Sequence, residues 1–325
     1  MNELSFDCDE RLHGIGLCDL HCDTLLEMAQ HQADFYDNSL HLGFDRVHAF
    51  SYFLQVMAIW SNTRLSDDDC YAQFLSATAY MKERLCAHPE ITQCRCGEDV
   101  KRVKAQNGKG FILAVEGGNL LSEDVSRLDE IYARGVRFFT LVWGGESRMG
   151  GAHDVGGGLS PFGVKALKRM FALGIVPDVS HASKEIFYQT AAYADDAGKP
   201  FVATHSNSAA VWNHTRCLTD EQFRMIRDSG GIVGVSFCTP HLGDTAKEIT
   251  IGTVVDHIEH YLSLGGEKTV CFGGDLDGIG SMPTPMTGVE SLPLYYEEMA
   301  KRGFGDDLIY NIFCGNAQTF FEKNL

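Results

Sequence analysis

The chain has 325 residues, 44% of them hydrophobic, which is enough to bury the core of a globular α/β protein. Its formal net charge of -17, from 44 acidic and 27 basic residues, argues against nucleic acid or an anionic membrane as a partner, because both are bound by clustered Lys and Arg. No stretch approaches the roughly 18 consecutive apolar residues of a membrane span, so no membrane partner is expected.

Eight short apolar runs recur along the chain, each followed by polar residues or glycine and then by a segment of helical periodicity. They predict strands over residues 14–20, 49–56, 110–116, 136–143, 174–180, 200–205, 231–237 and 268–275. The intervening segments predict helices that include 70–88, 126–135, 161–174 and 219–231. Several of these begin after Ser, Thr or Asp and end at Gly, which is typical of helix caps.

Eight strands, each followed by a helix, is the count of a (β/α)8 TIM barrel. No low-complexity tract, repeat or Pro/Ser-rich linker divides the chain, so we predict one barrel domain over residues 1–325. A doubly wound open sheet is the alternative. It is disfavoured because no glycine-rich phosphate loop follows the first predicted strand.

The cysteines and the first residues of the chain bear on whether the protein is cytoplasmic or secreted. Eleven cysteines, an odd number, are spread through predicted core segments, as at Cys18, Cys238 and Cys271, so a disulfide framework is not expected. The opening MNELSFDCDERLHG lacks the basic and apolar segments of a secretory leader. We therefore expect a cytoplasmic protein with reduced thiols.

Side chains that bind metals stand at the carboxyl ends of the predicted strands, where a TIM barrel builds its active site. They are His21, Asp23, Glu116, His181, His205 and Asp275. In DLHCDT, alternation along a strand would point His21 and Asp23 to the same side, so both could reach one ion. The set as a whole predicts a metal centre at this end of the barrel.

Individual members of this set have other interpretations. His205 in ATHSNS could be a core histidine with satisfied hydrogen bonds. Glu116 in AVEGG is harder to explain without a cation, because a carboxylate that ends an apolar run is costly to bury. In GGDLDG we assign Asp275 to the site and Asp277 to the turn. Three further histidines in loops could line the mouth of the site: His153, His214 and His241.

The number of ligands favours two ions. Three histidines and two or three carboxylates exceed what one tetrahedral zinc takes, and a bidentate carboxylate such as Glu116 could bridge two ions about 3.5 Å apart. Imidazole and carboxylate ligands without thiolate favour Zn²⁺, with Mn²⁺ or Co²⁺ as substitutes. Ions of this kind activate a bound water, so the predicted reaction class is metal-assisted hydrolysis.

Six motifs occur along the chain in the order DLHCDT, AVEGG, DVSHAS, ATHSNS, HTRCLTDEQ and GGDLDGI. This ordered set resembles the zinc-dependent membrane (renal) dipeptidase family, peptidase family M19, among the amidohydrolase-like barrels. The resemblance runs from about residue 14 to GNAQTFFE near the C-terminus. It implies that a bridging hydroxide hydrolyses the peptide bond of dipeptides, including those with a C-terminal D-residue. Members are commonly homodimers, so a homodimer is expected.

The resemblance also implies roles for the residues. His21 and Asp23 would hold one zinc ion, and His181 and His205 would hold the other. Glu116 would bridge the two ions. Asp275 would take the proton of the hydroxide and pass it to the leaving amine. Arg216 in HTRC would bind the terminal carboxylate of the substrate, which suits its planar fork.

The chain departs from the family pattern at two positions. Trp143 in TLVW replaces a histidine that is thought to assist the scissile carbonyl, and Cys217 replaces the usual asparagine after Arg216. An indole donates one hydrogen bond but exchanges no proton near neutral pH. We therefore expect Trp143 either to donate to the developing oxyanion or to wall the substrate pocket, and we favour the wall.

Two alternatives to the dipeptidase remain open. One is another hydrolase on the same scaffold, acting on a cyclic amide, a lactone or a deaminase substrate. Arg216 and the lack of a carbamylated-lysine candidate at a strand end argue against it. The other is a non-catalytic metal-binding barrel, and the intact ligand set together with Asp275 argues against that.

Overall fold

The computed structural model describes residues 12–325. Its strands are β1 Leu17–Cys22, β2 Phe53–Trp60, β3 Ile91–Gln93, β4 Lys109–Glu116, β5 Val136–Thr140, β6 Val176–Asp178, β7 Val233–Val235 and β8 Val270–Phe272. Its α-helices are α1 Thr24–His31, α2 Asp67–Ala87, α3 Gly97–Ala105, α4 Arg127–Ala133, α5 Pro161–Leu173, α6 Lys184–Ala197, α7 Asp220–Asp228, α8 Ile251–Ser263, α9 Pro293–Lys301, α10 Asp306–Tyr310 and α11 Asn316–Asn324. Single helical turns lie at Leu12–Gly14, Gly118–Leu121, Thr239–His241, Val289–Ser291 and Asn311–Gly315.

The strands form one parallel sheet with the order β6-β5-β4-β2-β1-β8-β7, and β3 pairs with the start of β4 beside this order. The sheet curls, and its regular strands stop short of closing between β6 and β7. In that gap Val202 bridges Asp178 of β6, and Ala203 bridges Val233 of β7. The α/β barrel class is confirmed, as a curled sheet rather than a closed ring of regular strands.

The predicted strand over residues 200–205 forms only these isolated bridges. The reason lies in its backbone donors, since the N–H of Thr204 donates to Asp178 Oδ1 and the N–H of His205 donates to Ser180 Oγ. Side chains therefore take the hydrogen bonds that a strand ladder would use. Strand β3 was not predicted, because its three residues are too short to show a period.

The helix boundaries follow the capping residues. Helix α5 begins after Ser160, whose hydroxyl accepts from the N–H of Gly163, has Pro161 as its first residue and ends at Gly174 with φ 83°. This agrees with the helix predicted over 161–174. Helix α7 begins after Thr219, which exchanges side-chain and backbone hydrogen bonds with Gln222 in a capping box.

The strands are buried on both faces, as expected of a parallel sheet covered by helices. Their carboxyl ends therefore meet at one edge of the sheet, where polar side chains can converge. Within residues 12–325, no helix is both long and apolar enough to cross a bilayer. The prediction of one domain over 1–325 includes residues 1–11, which lie outside the described residues, and it stays a prediction.

Candidate metal centre

The predicted ligands come from the carboxyl ends of neighbouring strands. His21 lies near the end of β1, Asp23 lies directly after that strand, and Glu116 is the last residue of β4. His181 follows β6, and His205 follows the bridging segment 202–203. All of these side chains are buried or nearly so, and His21, Glu116 and His205 are each no more than 3% exposed.

Glu116 lies between three imidazoles. Its Oε1 atom is 3.0 Å from His181 Nε2, 3.3 Å from His205 Nε2 and 3.7 Å from His21 Nε2. The two nitrogens His181 Nε2 and His205 Nε2 are only 2.9 Å apart. One carboxylate oxygen therefore lies within 4.0 Å of all three ring nitrogens.

The remaining carboxylates lie on the other side of His21. His21 Nε2 is 3.9 Å from Asp23 Oδ2 and 4.0 Å from Asp275 Oδ1. The structure thus brings together all six predicted side chains as two groups of three, in each of which the potential ligand atoms lie within 4.8 Å of one another. The groups are Glu116, His181 and His205, and His21, Asp23 and Asp275. A third group of the same kind joins His21 and His205 to Asp178.

The electrostatics of the centre fit divalent cations. Burial and then the neighbouring Glu116 raise the pKa of Asp23 and Asp275 well above the usual range. Burial lowers the pKa of His21 and His205 to about 3, so both imidazoles are neutral near pH 7. His21 Nε2 and Asp23 Oδ1 are buried without a hydrogen-bond partner from residues 12–325, which is uncommon in a folded protein. Bound cations would satisfy these atoms and offset the crowding of carboxylates.

The backbone is strained where it presents two of these side chains. His181 has φ 68° and Asp275 has φ 59°, in the left-handed region that residues other than glycine rarely adopt. Gly278 lies against the carboxylates of Asp23 and Asp275. A Cβ at this position would overlap one oxygen of each of these side chains. The close approach of the two aspartates therefore requires glycine at position 278.

The carboxylate of Asp277 makes hydrogen bonds to two distant segments of the chain. Its Oδ2 accepts from the Thr24 hydroxyl at 2.5 Å, and its Oδ1 accepts from the His41 backbone N–H at 2.6 Å. Both carboxylate oxygens thus hold the loop after β8 against the start of α1 and the segment that follows it.

Arg216 lies beside the ligands as a buried cation. It is 5% exposed, and its NH2 group donates to the carbonyl of His205 at 3.4 Å. Its Nε has no hydrogen-bond partner in the described part of the chain. Among the described residues, no carboxylate oxygen lies within 4.0 Å of its guanidinium. Arg216 lines a cavity of about 450 Å³ together with His153, His181 and His214. An unpaired guanidinium in a cavity suits the carboxylate of a small ligand.

The three loop histidines lie near Arg216. His153 and His214 line the cavity, and the His214 ring packs 4.9 Å from that of His241. His153 Nδ1 is 2.8 Å from the Thr215 hydroxyl. Burial, and then Arg216, lower the pKa of His153 to about 4, which keeps its ring neutral near pH 7.

Trp143 packs beside the centre through its ring. Its ring lies 4.8 Å from that of Trp60 and 5.9 Å from that of His181, measured between ring centroids. Among the described residues its indole N–H has no hydrogen-bond partner. The ring contacts fit a wall of the pocket, and the N–H is available as a donor, so both of the roles that we expected stay predictions.

Two buried aspartates near the centre were missed by the sequence reasoning. Asp178 accepts four hydrogen bonds at the end of β6. Asp19 accepts from the backbone N–H groups of His21 and Gly274 and from the Gln55 amide. Both stand inside apolar runs, GLCDL and VPDVS, where a carboxylate signals a structural hydrogen-bond network. That signal was available in the sequence.

Comparisons with known proteins find similar chains. The protein of the pqqA 5′ region of Klebsiella pneumoniae is 33% identical over 240 residues, which are 70% of this chain and 87% of that protein. Dipeptidase 3 of Rattus norvegicus is 26% identical over 249 residues, which are 74% of this chain and 50% of that protein. The match to the rat protein thus spans half of its length.

Two solved structures have the same fold. One is a metallopeptidase from Rhodobacter sphaeroides liganded with a phosphinate mimic of the dipeptide L-Ala-D-Ala, with a TM-score of 0.88, 25% identity and coverage of 96% of this chain and 100% of that chain. The other is the dipeptidase AC, a metallopeptidase of family M19, with a TM-score of 0.87, 25% identity and coverage of 95% and 99%. A model of the membrane dipeptidase family matches residues 10–324, and the chain therefore belongs to that family, peptidase family M19.

Proposed function

We propose that this protein is a metal-dependent dipeptidase that holds two divalent ions, Zn²⁺ by preference with Mn²⁺ or Co²⁺ as substitutes. The observation that carries the proposal is the position of Arg216, in a cavity that also contains His181 of the ligand cluster. Its buried guanidinium has no carboxylate partner within residues 12–325. A dipeptide has both features that this site would recognise, namely a terminal carboxylate and a hydrolysable carbonyl beside it.

In the proposed centre, His21 and Asp23 bind one ion, His181 and His205 bind the other, and Glu116 binds both. This assignment is supported by the two groups of three side chains and by the three imidazole nitrogens around Glu116 Oε1. The ions would polarise the scissile carbonyl and lower the pKa of the attacking water.

Asp275 moves the proton in this proposal. Its backbone N–H donates to the carbonyl of His21, and its Oδ1 lies 4.0 Å from His21 Nε2, so the carboxylate faces the ligand cluster. It accepts the proton of the attacking water and returns it to the nitrogen of the leaving amine. Arg216 holds the terminal carboxylate and so orients the peptide bond toward the cluster.

Dipeptides with a C-terminal D-residue are part of the proposed substrate class. Support comes from the relative of Rhodobacter sphaeroides, which is liganded with a mimic of L-Ala-D-Ala. Arg216 would recognise the terminal carboxylate and not the side chain. Its contact therefore does not depend on whether the C-terminal residue has the L or the D configuration. Matched L-Ala-L-Ala and L-Ala-D-Ala assays measure this tolerance.

A substrate panel tests the reaction class. The metal-loaded protein is assayed with free dipeptides, cyclic amides, lactones and deaminase substrates, and the Asp275→Asn variant, purified in parallel, controls for contaminating peptidases. We expect hydrolysis of dipeptides only. Turnover of a cyclic amide or lactone without dipeptide hydrolysis would support another hydrolase on this scaffold, and no turnover by metal-loaded protein would support a binding barrel.

Trp143→Phe is expected to retain turnover within about 10-fold of the wild type. The ring packs against Trp60 and His181, and phenylalanine keeps an apolar wall there while it removes the N–H. Trp143→His should shift the preferred dipeptide without abolishing hydrolysis. Steady-state kinetics over several dipeptides measure both effects. If the indole instead donates to the oxyanion, the Phe variant should lose roughly 10² or more in turnover with its metals still bound.

Compartment and assembly complete the proposal. A cytoplasmic protein is supported by the ten described cysteines, all of which are free. A single domain and a homodimer are proposed from the family likeness. Light scattering of the purified protein measures the mass, which is 35.9 kDa for one chain.

A further inference from the structure

We propose that Thr204 is a positioning residue that orients one histidine of each ligand group through a single hydroxyl, and that it thereby couples the binding of the two ions. This inference rests on the proposed function, because it concerns the ions that the centre would hold. Thr204 lies between Asp178 and the two imidazoles of His21 and His205.

Asp178 is the anchor of this arrangement. Its Oδ1 accepts from the backbone N–H groups of Ser180 and Thr204, each at 2.9 Å. Its Oδ2 accepts from the hydroxyls of Thr140 at 2.5 Å and Thr204 at 2.6 Å. Four donors fill the roughly four lone-pair positions of a carboxylate. Although Asp178 lies close to His21 and His205, it has no free position for an ion.

The directions of the hydrogen bonds around the Thr204 hydroxyl are therefore fixed. An ionised carboxylate only accepts, so the single O–H of Thr204 donates to Asp178. The same oxygen lies 2.9 Å from His205 Nδ1 and 3.2 Å from His21 Nδ1, and in these two contacts the imidazoles must donate. A further contact of 3.5 Å to the Ser180 hydroxyl is at the limit of hydrogen-bond distance.

This pattern assigns the tautomer of both rings. With the proton on Nδ1, the Nε2 atoms of His21 and His205 carry free lone pairs, and these atoms face Glu116 at 3.7 Å and 3.3 Å. A ring nitrogen with a free lone pair is the form that binds a metal. His181 is not held in this way, because no described residue makes a hydrogen bond with its buried Nδ1.

The shared hydroxyl connects the two groups. In two of the three groups of potential ligands, His21 lies with Asp23 and Asp275, and His205 lies with Glu116 and His181. The third group joins both histidines to Asp178, whose lone pairs already accept four hydrogen bonds. Thr204, His21 and His205 are each 1% exposed, so water cannot readily replace a lost hydroxyl. Loss of a partner that orients a ligating histidine typically costs about 10- to 100-fold in metal affinity. A single substitution that removes the Thr204 hydroxyl should therefore weaken the binding of both ions.

Thr204→Val tests this by replacing the hydroxyl with a methyl group of similar size. Chelator competition with Zn²⁺ measures the affinity and number of ions, and the Co²⁺ absorption spectrum reports the geometry at each site. We expect affinity for both ions to fall about 10- to 100-fold. Thr204→Ser, which keeps the hydroxyl, should restore it. Unchanged affinity in the Val variant, or weakening of one ion only, would overturn the proposal.

Thr140→Val is the matched control. It removes the other hydroxyl that donates to Asp178 Oδ2 but touches neither imidazole, so it should keep the metal affinity while it lowers stability. Thermal unfolding of the metal-free variants shows how much of any effect comes from stability. A fall in affinity as large as that of Thr204→Val would mean that Asp178, and not the shared hydroxyl, carries the effect.

The wild type provides a test that needs no variant to fold. Nitrogen-15 NMR of the metal-free protein distinguishes the tautomers, and we expect both His21 and His205 to carry the proton on Nδ1. A proton on Nε2 of either ring would contradict the assignment. Failure of the wild type to bind any ion would instead refute the proposed function. The NMR measurement is made on metal-free protein, so its result does not depend on whether ions bind.

Discussion

Asp275→Asn is expected to lower turnover by about 10² to 10⁴, the range that a general acid-base group contributes. Asparagine has nearly the same shape as aspartate, but it cannot accept a proton from the attacking water and return it to the leaving amine. Since the proposed metal ligands remain in place, the number of bound ions should stay the same. Steady-state kinetics of the metal-loaded variant, together with metal analysis of the same sample, measure both quantities.

Asp277→Asn is the matched control for this change. It makes the same chemical substitution in the same loop, but Asp277 holds the turn through Thr24 and His41 and faces no substrate in our proposal. Its turnover should remain close to that of the wild type. Asp275 would be a ligand and not a proton carrier if Asp275→Asn lost metal and regained full turnover at high metal concentration.

Arg216→Met is expected to lower kcat/KM for free dipeptides by about 30-fold to 3,000-fold, mostly through KM. Removal of one partner from a buried, hydrogen-bonded charge pair costs about 2–5 kcal/mol, and each 1.4 kcal/mol or so is a factor of ten. Methionine fills much of the same volume, so the substitution removes the charge and the hydrogen-bond donors without leaving a large gap. The measurement compares free dipeptides with the same dipeptides amidated at the C-terminus.

The amidated substrates separate recognition from structure. Because they lack the terminal carboxylate, they should be poor substrates of the wild type and should lose little more in the variant. Arg216→Lys should recover only part of the loss, since a lysine ammonium cannot form the bidentate contact. Equal losses on free and amidated dipeptides would show that Arg216 has a structural role, for example through its contact with the His205 carbonyl.

The ligand cluster could be predicted from the sequence because each member is marked by its local setting. A strand carries His21 toward the carboxyl edge of the sheet, and Glu116 ends an apolar run where a lone carboxylate is costly to bury. The edge of a parallel sheet then brings such residues together without detailed knowledge of the packing. That is why six side chains could be chosen before their distances were known.

The supporting network could not be predicted in this way. The hydroxyl of Thr204 meets His21 across 183 positions of the chain, and nothing in the local pattern of either residue indicates that contact. The same network diverts the backbone donors of Thr204 and His205 from the sheet, which is why the predicted strand over 200–205 is irregular. Tertiary hydrogen bonds there outweigh the β propensity of an apolar run.

The measurement that tests the central proposal most directly is a titration of metal-free protein with Zn²⁺, followed by hydrolysis of L-Ala-D-Ala and L-Ala-L-Ala. The ligand groups around Glu116 and around His21 predict that two equivalents of metal per chain are needed for full activity and that a chelator removes it. Full dipeptidase activity with one equivalent or none, or two bound equivalents without any dipeptide hydrolysis, would contradict the account.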